Sequence, residues 1–154
     1  MLRRSWLGLV LAAWLATAAG AGPTLPRMSD LRALAAEAGR SGQPVIVLFS
    51  TPGCPHCEQV RASYLAPRLA AGALVREVDI TARRLLVDAA GRSVSEAELA
   101  RQFGVRAVPA VLLLDGRGQP AAEPLLGSDT AGFYEGYLES RLAQARARMA
   151  QPPR

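Results

Sequence analysis

Apolar positions along this chain fall into two kinds of run, helically spaced and unbroken, and their alternation predicts alternating helices and strands. Leu31, Leu34, Ala35 and Ala38 share one helical face behind Ser29-Asp30, a pair suited to capping, and this helix is expected to reach about Gly39. Arg40-Ser41-Gly42-Gln43-Pro44 then forms a turn. Residues 45–49 have no polar member, which suits a strand covered on both faces. Val60, Tyr64, Leu65 and Leu69 return to helical spacing, with Pro67 expected to bend or break the helix. Residues 73–80 read as a second strand. Residues 111–114 and 121–126, joined through Asp115-Gly116-Arg117-Gly118, read as a hairpin. Thr130 opens a last helix with Tyr134, Leu138, Leu142, Ala145 and Met149 as its stripe.

Between Thr81 and Gly104 lies an extra piece. Residues 87–92 form a tight excursion. Ser95 with Glu98 fits a capping box, and Val94 with Leu99 fits the apolar staple that accompanies one. The short helix that follows is expected to end near Phe103, with Gly104 as its stop.

The first 21 residues change the picture. Met1-Leu2-Arg3-Arg4-Ser5 is basic, residues 6–19 are apolar or small, and Ala19-Gly20-Ala21 suits signal-peptide cleavage before Gly22. The stretch is shorter than the ~20 apolar residues of a spanning helix. A cleaved signal implies export to an oxidising compartment. The expected organisation is a cleaved signal at 1–21, a linker at 22–28, one domain at 29–149 and a disordered tail at 150–154.

Charge adds little. Without Arg3 and Arg4 the chain keeps 16 basic residues against 13 acidic ones, and every basic residue is arginine. Arg141, Arg146, Arg148 and Arg154 follow the last acid, Glu139, as the solvated face of a final helix does. Nucleic acid is not an expected partner. Both tryptophans, Trp6 and Trp14, lie in the leader.

The candidate chemistry is Cys54-Pro55-His56-Cys57, which holds both cysteines of the chain at a strand-to-helix junction. This spacing is that of a thiol–disulfide redox centre. As a structural staple it would close almost no loop. A helix start aims unsatisfied N–H groups at Cys54 and favours its thiolate. Pro55 suits the first helical position, and a protonated His56 adds positive charge. Such sites bring a cysteine into roughly the pKa 3.5–7.5 range. Cys54 is then the attacking sulfur and Cys57, one turn in, the resolving one. Soft thiolates also suit copper(I) or zinc, so a metal-binding chaperone using the same cysteines stays open, although Cys54, His56 and Cys57 lack a fourth ligand. Glu58, not histidine, follows Cys57, which excludes haem attachment.

This order of elements resembles the thioredoxin fold over about residues 30–148. The resemblance rests on Phe49-Ser50-Thr51-Pro52-Gly53-Cys54-Pro55-His56-Cys57, on Gly104-Val105-Arg106-Ala107-Val108-Pro109, and on the 114–118 turn with Gly127. Asp79-Ile80-Thr81 and the insertion resemble bacterial periplasmic thioredoxin-related proteins. The resemblance implies an α/β thioredoxin-like fold, a central mixed β-sheet flanked by helices, with a short insertion before a cis-proline loop. It implies a monomeric thiol:disulfide oxidoreductase without a cofactor or metal, acting on protein disulfides or dithiols through the Cys54–Cys57 disulfide and fed by a membrane electron-transfer partner. It also implies that Val108 and a cis Pro109 bind an extended substrate segment by strand addition.

Departures from the family pattern matter too. Gly53 stands where thioredoxins carry tryptophan. Leu48 stands where they carry a buried acid that helps deprotonate the second cysteine, which leaves Glu58, Glu77 or water to substitute. The Pro-His pair matches the oxidising periplasmic thiol oxidase, yet the 81–104 insert is too short for that protein's helical domain. A reductase is the favoured reading. A thiol oxidase and a non-catalytic interaction module are the alternatives.

Overall fold

The computed structural model describes residues 22–128 and 131–151. The expected signal peptide at 1–21, Thr130 and residues 152–154 of the expected tail lie outside them. Helix α1 (Leu31–Ser41) opens where Asp30 accepts the Ala33 N–H at 2.8 Å. It runs past Gly39 and closes at Gly42, whose N–H donates to the Ala38 carbonyl. Gly39 serves close approach instead. A Cβ on Gly116 would sit 2.7 Å from the Gly39 Cα, so the helix and the 115–118 turn touch backbone to backbone.

Strand β1 (Val45–Ser50) is buried at every position and forms the spine. It pairs in parallel with β2 (Val75–Asp79) and antiparallel with β5 (Ala110–Leu114). Two-residue β6 (Leu125–Leu126) completes a mixed sheet of order β2-β1-β5-β6. Strand periodicity sends Ile46 and Leu48 to one face and Val45, Val47 and Phe49 to the other. The first face packs on Val60, Leu65, Leu138 and Leu142, the second on Leu31, Leu34 and Leu99. Full burial of a Leu or Phe side chain contributes roughly 1.5–3 kcal/mol, so this unbroken apolar run needs both layers.

The helix after β1 changes pitch. An α segment, α2 (Pro55–Val60), passes into a π turn over Arg61–Leu65 and then into α3 (Ala66–Ala70). The Ala66 N–H bonds the Arg61 carbonyl, five residues back. Pro67 therefore falls in the first turn of a new α segment, where no N–H is required. The helix changes its winding here from α to π and back.

The extra piece after β2 contains a small ribbon, β3 (Leu85–Val87) paired antiparallel with β4 (Ser93–Ser95). Helix α4 (Glu96–Gln102) follows, and Ser95 and Glu98 form the full capping box. The second half of the 110–126 hairpin has less regular strand than its apolar residues suggest. Pro120 and Pro124 lack N–H groups; Pro120 bridges Leu114 and the Ala121 N–H donates to the Leu113 carbonyl at 2.8 Å, but the regular strand is limited to Leu125 and Leu126. Helix α5 (Tyr134–Met149) closes the chain with Tyr134, Leu138, Leu142 and Ala145 buried.

Residues 22–28 are seated on the sheet. Met28 N–H donates to the Glu77 carbonyl at 2.9 Å and Glu77 N–H to the Pro26 carbonyl at 3.0 Å, which covers the outer edge of β2.

Candidate active site

The unbroken run of β1 ends at Ser50, and Pro52-Gly53 turns the chain. Gly53 has φ 69°, the left-handed region that a tryptophan would resist. Its glycine is therefore tied to the turn that presents the next residue. Cys54 is extended at φ −93° and ψ 103° and caps α2, its Sγ accepting the Cys57 N–H at 3.2 Å. Pro55 takes the first helical position. Cys54 and Cys57 are joined as a disulfide across 5.2 Å between Cα atoms. Cys54 is half-buried, whereas Cys57 is 0 % exposed. Of the two residues only Cys54 keeps exposed surface, and its sulfur is the one that receives the helix N–H.

His56 is exposed, and its Nδ1 lies 2.8 Å from the Ser128 hydroxyl. Ser128 was not visible as a site residue in the sequence. Only Gly127, its neighbour, belonged to a recognisable pattern, and the contact spans 72 residues. Val108 and Pro109 come to the same end of the sheet. Their peptide is cis, Pro109 is buried, and the next residue, Ala110, pairs with Phe49 one position before the end of β1. The Pro109 carbonyl accepts the Gly127 N–H at 2.8 Å, which joins the proline loop to the Ser128 segment.

Leu48 has the direct parallel neighbour Glu77 on β2, so the carboxylate stands on the same face one strand over. Glu77 is buried and its donors are fixed. Ser50 Oγ donates to Oε1 at 2.5 Å, Arg61 Nη2 donates to Oε1 at 2.5 Å, and Arg61 Nε donates to Oε2 at 3.0 Å. Glu58 holds the remaining arm of Arg61. The hydrogen bond to Glu77 raises the Arg61 guanidinium above its ordinary value, outweighing the burial that lowers it. Ser50 begins the redox loop and Arg61 lies one turn beyond Cys57, so Glu77 clamps both sides of the disulfide to the sheet. Both carboxylate oxygens of Glu77 are thus engaged by donors from either side of the loop. Arg61 is a further site residue that local sequence patterns did not mark.

The comparisons with known proteins agree with this geometry. Residues 31–139 match the family described as a thioredoxin-like domain. The chain belongs to that family. Its Cys54–Cys57 pair, at the strand-to-helix junction of that domain, makes it a thiol:disulfide oxidoreductase. Among solved structures, a poplar thioredoxin h mutant superposes at TM-score 0.53 with 16% identity, over 86% of this chain and 95% of its own. A thioredoxin from Nicotiana alata gives 0.50 at 18% identity, over 79% and 99%. A thioredoxin-fold protein from Helicobacter pylori gives 0.50 at 16%, over 71% and 83%. These likenesses show the fold. No curated protein sequence matches this chain.

Among the described residues, no group of three or more His, Cys, Asp or Glu side chains is placed to hold a metal ion. Nor is any helix there long and apolar enough to cross a membrane.

Proposed function

We propose that the protein is a periplasmic reductase of protein disulfides, delivered by its N-terminal signal and recharged by a membrane electron carrier. The observation that carries the exchange chemistry is the asymmetry of the two sulfurs, with Cys54 accessible at a helix start and Cys57 sealed beneath it. In the reduced form the Cys54 thiolate attacks one sulfur of a partner disulfide. An S–S bond forms to Cys54, and the partner's other sulfur leaves as a thiolate and takes a proton. Cys57 then loses its proton and attacks the Cys54 sulfur. The partner's second thiolate leaves, and the Cys54–Cys57 disulfide forms. Two electrons pass from the protein to its partner, and the same steps reversed oxidise a partner dithiol.

The proton from Cys57 goes to water in this account, and Glu77, which accepts from Arg61 and Ser50, has a holding role. Val108 and Pro109 offer backbone beside the nucleophile to an extended substrate segment. The basic, apolar and small-residue order of positions 1–21 supports export.

The Pro55-His56 pair, with His56 held by Ser128, supports a second reading as a thiol oxidase, through its resemblance to the oxidising periplasmic enzyme. Thiol trapping of the protein in intact cells separates the two. A mostly reduced Cys54–Cys57 pair on a chain starting at Gly22 is the result expected of a reductase. A mostly oxidised pair overturns it in favour of the oxidase, and a retained leader on a cytoplasmic chain overturns the location.

A further inference from the structure

Gly22 lies against the redox helix. A Cβ on it would stand 2.6 Å from Glu58 Oε1, so its backbone meets that carboxylate with no side chain between them. Glu58 directly follows the resolving Cys57, and its other oxygen, Oε2, takes Arg61. The chain beyond Gly22 is held in place. Leu25 and Met28 are buried, and the hydrogen bonds of Met28 and Pro26 to Glu77 seat residues 26–28 on the edge of β2. Three residues, one of them the φ-restricted Pro23, separate Gly22 from this seat. Between the N-terminal segment and the redox loop lies a cavity of about 510 Å³. Its charged walls are Arg27, Arg61, Glu58, Glu77 and Asp79, two guanidiniums against three carboxylates, so by formal charge they are one cation short.

We propose that export processing supplies the missing cation: the α-ammonium created on Gly22 pairs with Glu58 and acts as a positioning group for the redox helix, an inference that rests on reading residues 1–21 as a cleaved signal. Before cleavage the Gly22 nitrogen is a neutral amide. A signal peptidase hydrolyses the Ala21–Gly22 bond with one water, leaving a carboxylate on Ala21 and an ammonium on Gly22. The new charge arises beside the oxygen of Glu58 that Arg61 does not take. Pairing fastens the chain end to the first turns of α2. It also offsets a carboxylate one residue from Cys57, which favours the thiolate form of the centre and makes the disulfide easier to reduce. Glu58 keeps 51 % of its side chain exposed, so solvent screens the pair and its effect is modest. Every basic residue of the chain is arginine, so this α-amine is the only primary amine of the processed protein and can be read directly.

The first step is mass spectrometry of the full chain recovered from cells, where Gly22 is the expected first residue. A retained leader overturns the export reading and the proposal together, whereas an exported chain with another first residue overturns the proposal alone. The pairing is then read on purified protein starting at Gly22 and on protein lengthened by Gly20-Ala21, which moves the ammonium away. Acylation of the α-amine by a trace of acetic anhydride, followed against pH, should give an acid dissociation constant about threefold below that of the same amine in Glu58→Gln. Equilibration with glutathione should show the disulfide about twofold easier to reduce in the Gly22 chain than in the lengthened one. Glu58→Gln should bring that ratio to one, whatever it does to either chain alone. Equal α-amine constants in wild type and Glu58→Gln, or a ratio that survives Glu58→Gln, overturns the pairing and leaves the export reading standing. A ratio of one in the wild type overturns the positioning role.

Discussion

Glu77 on β2 and Glu96 at the start of α4 are both buried and both bound by arginine, yet their donors come from different parts of the chain. Glu96 takes Arg27 from the N-terminal segment, Arg84 at 2.5 Å from the insertion and the Asp79 N–H at 2.6 Å from the end of β2. None of these belongs to the redox loop. Glu77 takes Ser50 and Arg61, which bracket that loop. The same ion-pair chemistry is used once to fasten the insertion and the N-terminal segment to the sheet edge, and once to hold the reactive disulfide in register with the sheet. Burial of a charge therefore says little about function until the origin of its donors is known.

The largest effect is expected at the fastening site. Glu96→Ala leaves the buried Asp79 N–H unmet and two arginines without their anion, and a loss of about 3 kcal/mol in unfolding free energy is expected from denaturant melts. The reduction potential of Cys54–Cys57 should stay within error of the wild type. A shift in potential as large as any active-site substitution produces would erase the distinction between the two glutamates.

Glu77→Gln should cost about 2 kcal/mol, because Arg61 keeps its charge in a mostly buried position. Unlike the first variant, it should also slow exchange with a protein disulfide several-fold, since the anchor loses its charge and the new NH2 cannot accept from Arg61 Nε. Stopped-flow exchange kinetics on the two variants side by side sharpen the contrast. Full-speed exchange in Glu77→Gln would reduce Glu77 to a second fastener.

His56→Ala acts on the chemistry without touching either glutamate. Loss of the polar imidazole beside the Cys54 thiolate weakens the reduced state, so the disulfide becomes harder to reduce. Equilibration with glutathione should show a potential about 30 mV more negative, equivalent to about 1.4 kcal/mol. Ser128→Ala should move it the same way by less. A shift to more positive values contradicts the role given to the ring.

The smallest effect lies in the insertion and is read from the steepness of the acid limb. Burial opposes ionisation of Asp88, but the Arg92 backbone N–H and guanidinium and the Ala90 N–H outweigh it and hold the carboxyl below its ordinary value. A carboxyl lowered by folding contributes stability that is complete above its unfolded value and lost as pH falls through the folded one. Wild-type stability should therefore drop more steeply below about pH 4 than that of Asp88→Asn. Parallel acid limbs for the two proteins would remove Asp88 from the account.

Much of this arrangement was legible because neighbours in sequence encode it. The unbroken 45–49 run marks β1, Cys54 followed by Pro55 marks a helix start, and Ser95 with Glu98 marks another. The β3–β4 ribbon was less visible, because three-residue strands are too short to show alternation. Gly39 looked like a helix stop, since its contact with Gly116 is a property of the fold rather than of the helix. Glu77 was marked only by the family's missing acid at Leu48, and its clamp through Ser50 and Arg61 joins residues 27 and 16 positions apart. The Ser128–His56 contact is longer still. Periodicity reads one element at a time, and these groups meet only after the sheet has formed.

The asymmetry of the two sulfurs is the central claim, and a trapping measurement on single-cysteine variants addresses it most directly. Reduced Cys57→Ser and Cys54→Ser proteins are each mixed with a protein disulfide, quenched with acid and resolved without reductant. Cys57→Ser should accumulate a covalent mixed disulfide through Cys54, stable because nothing resolves it, while Cys54→Ser should form almost none. Equal trapping by the two variants, or trapping through Cys57 alone, would contradict the account.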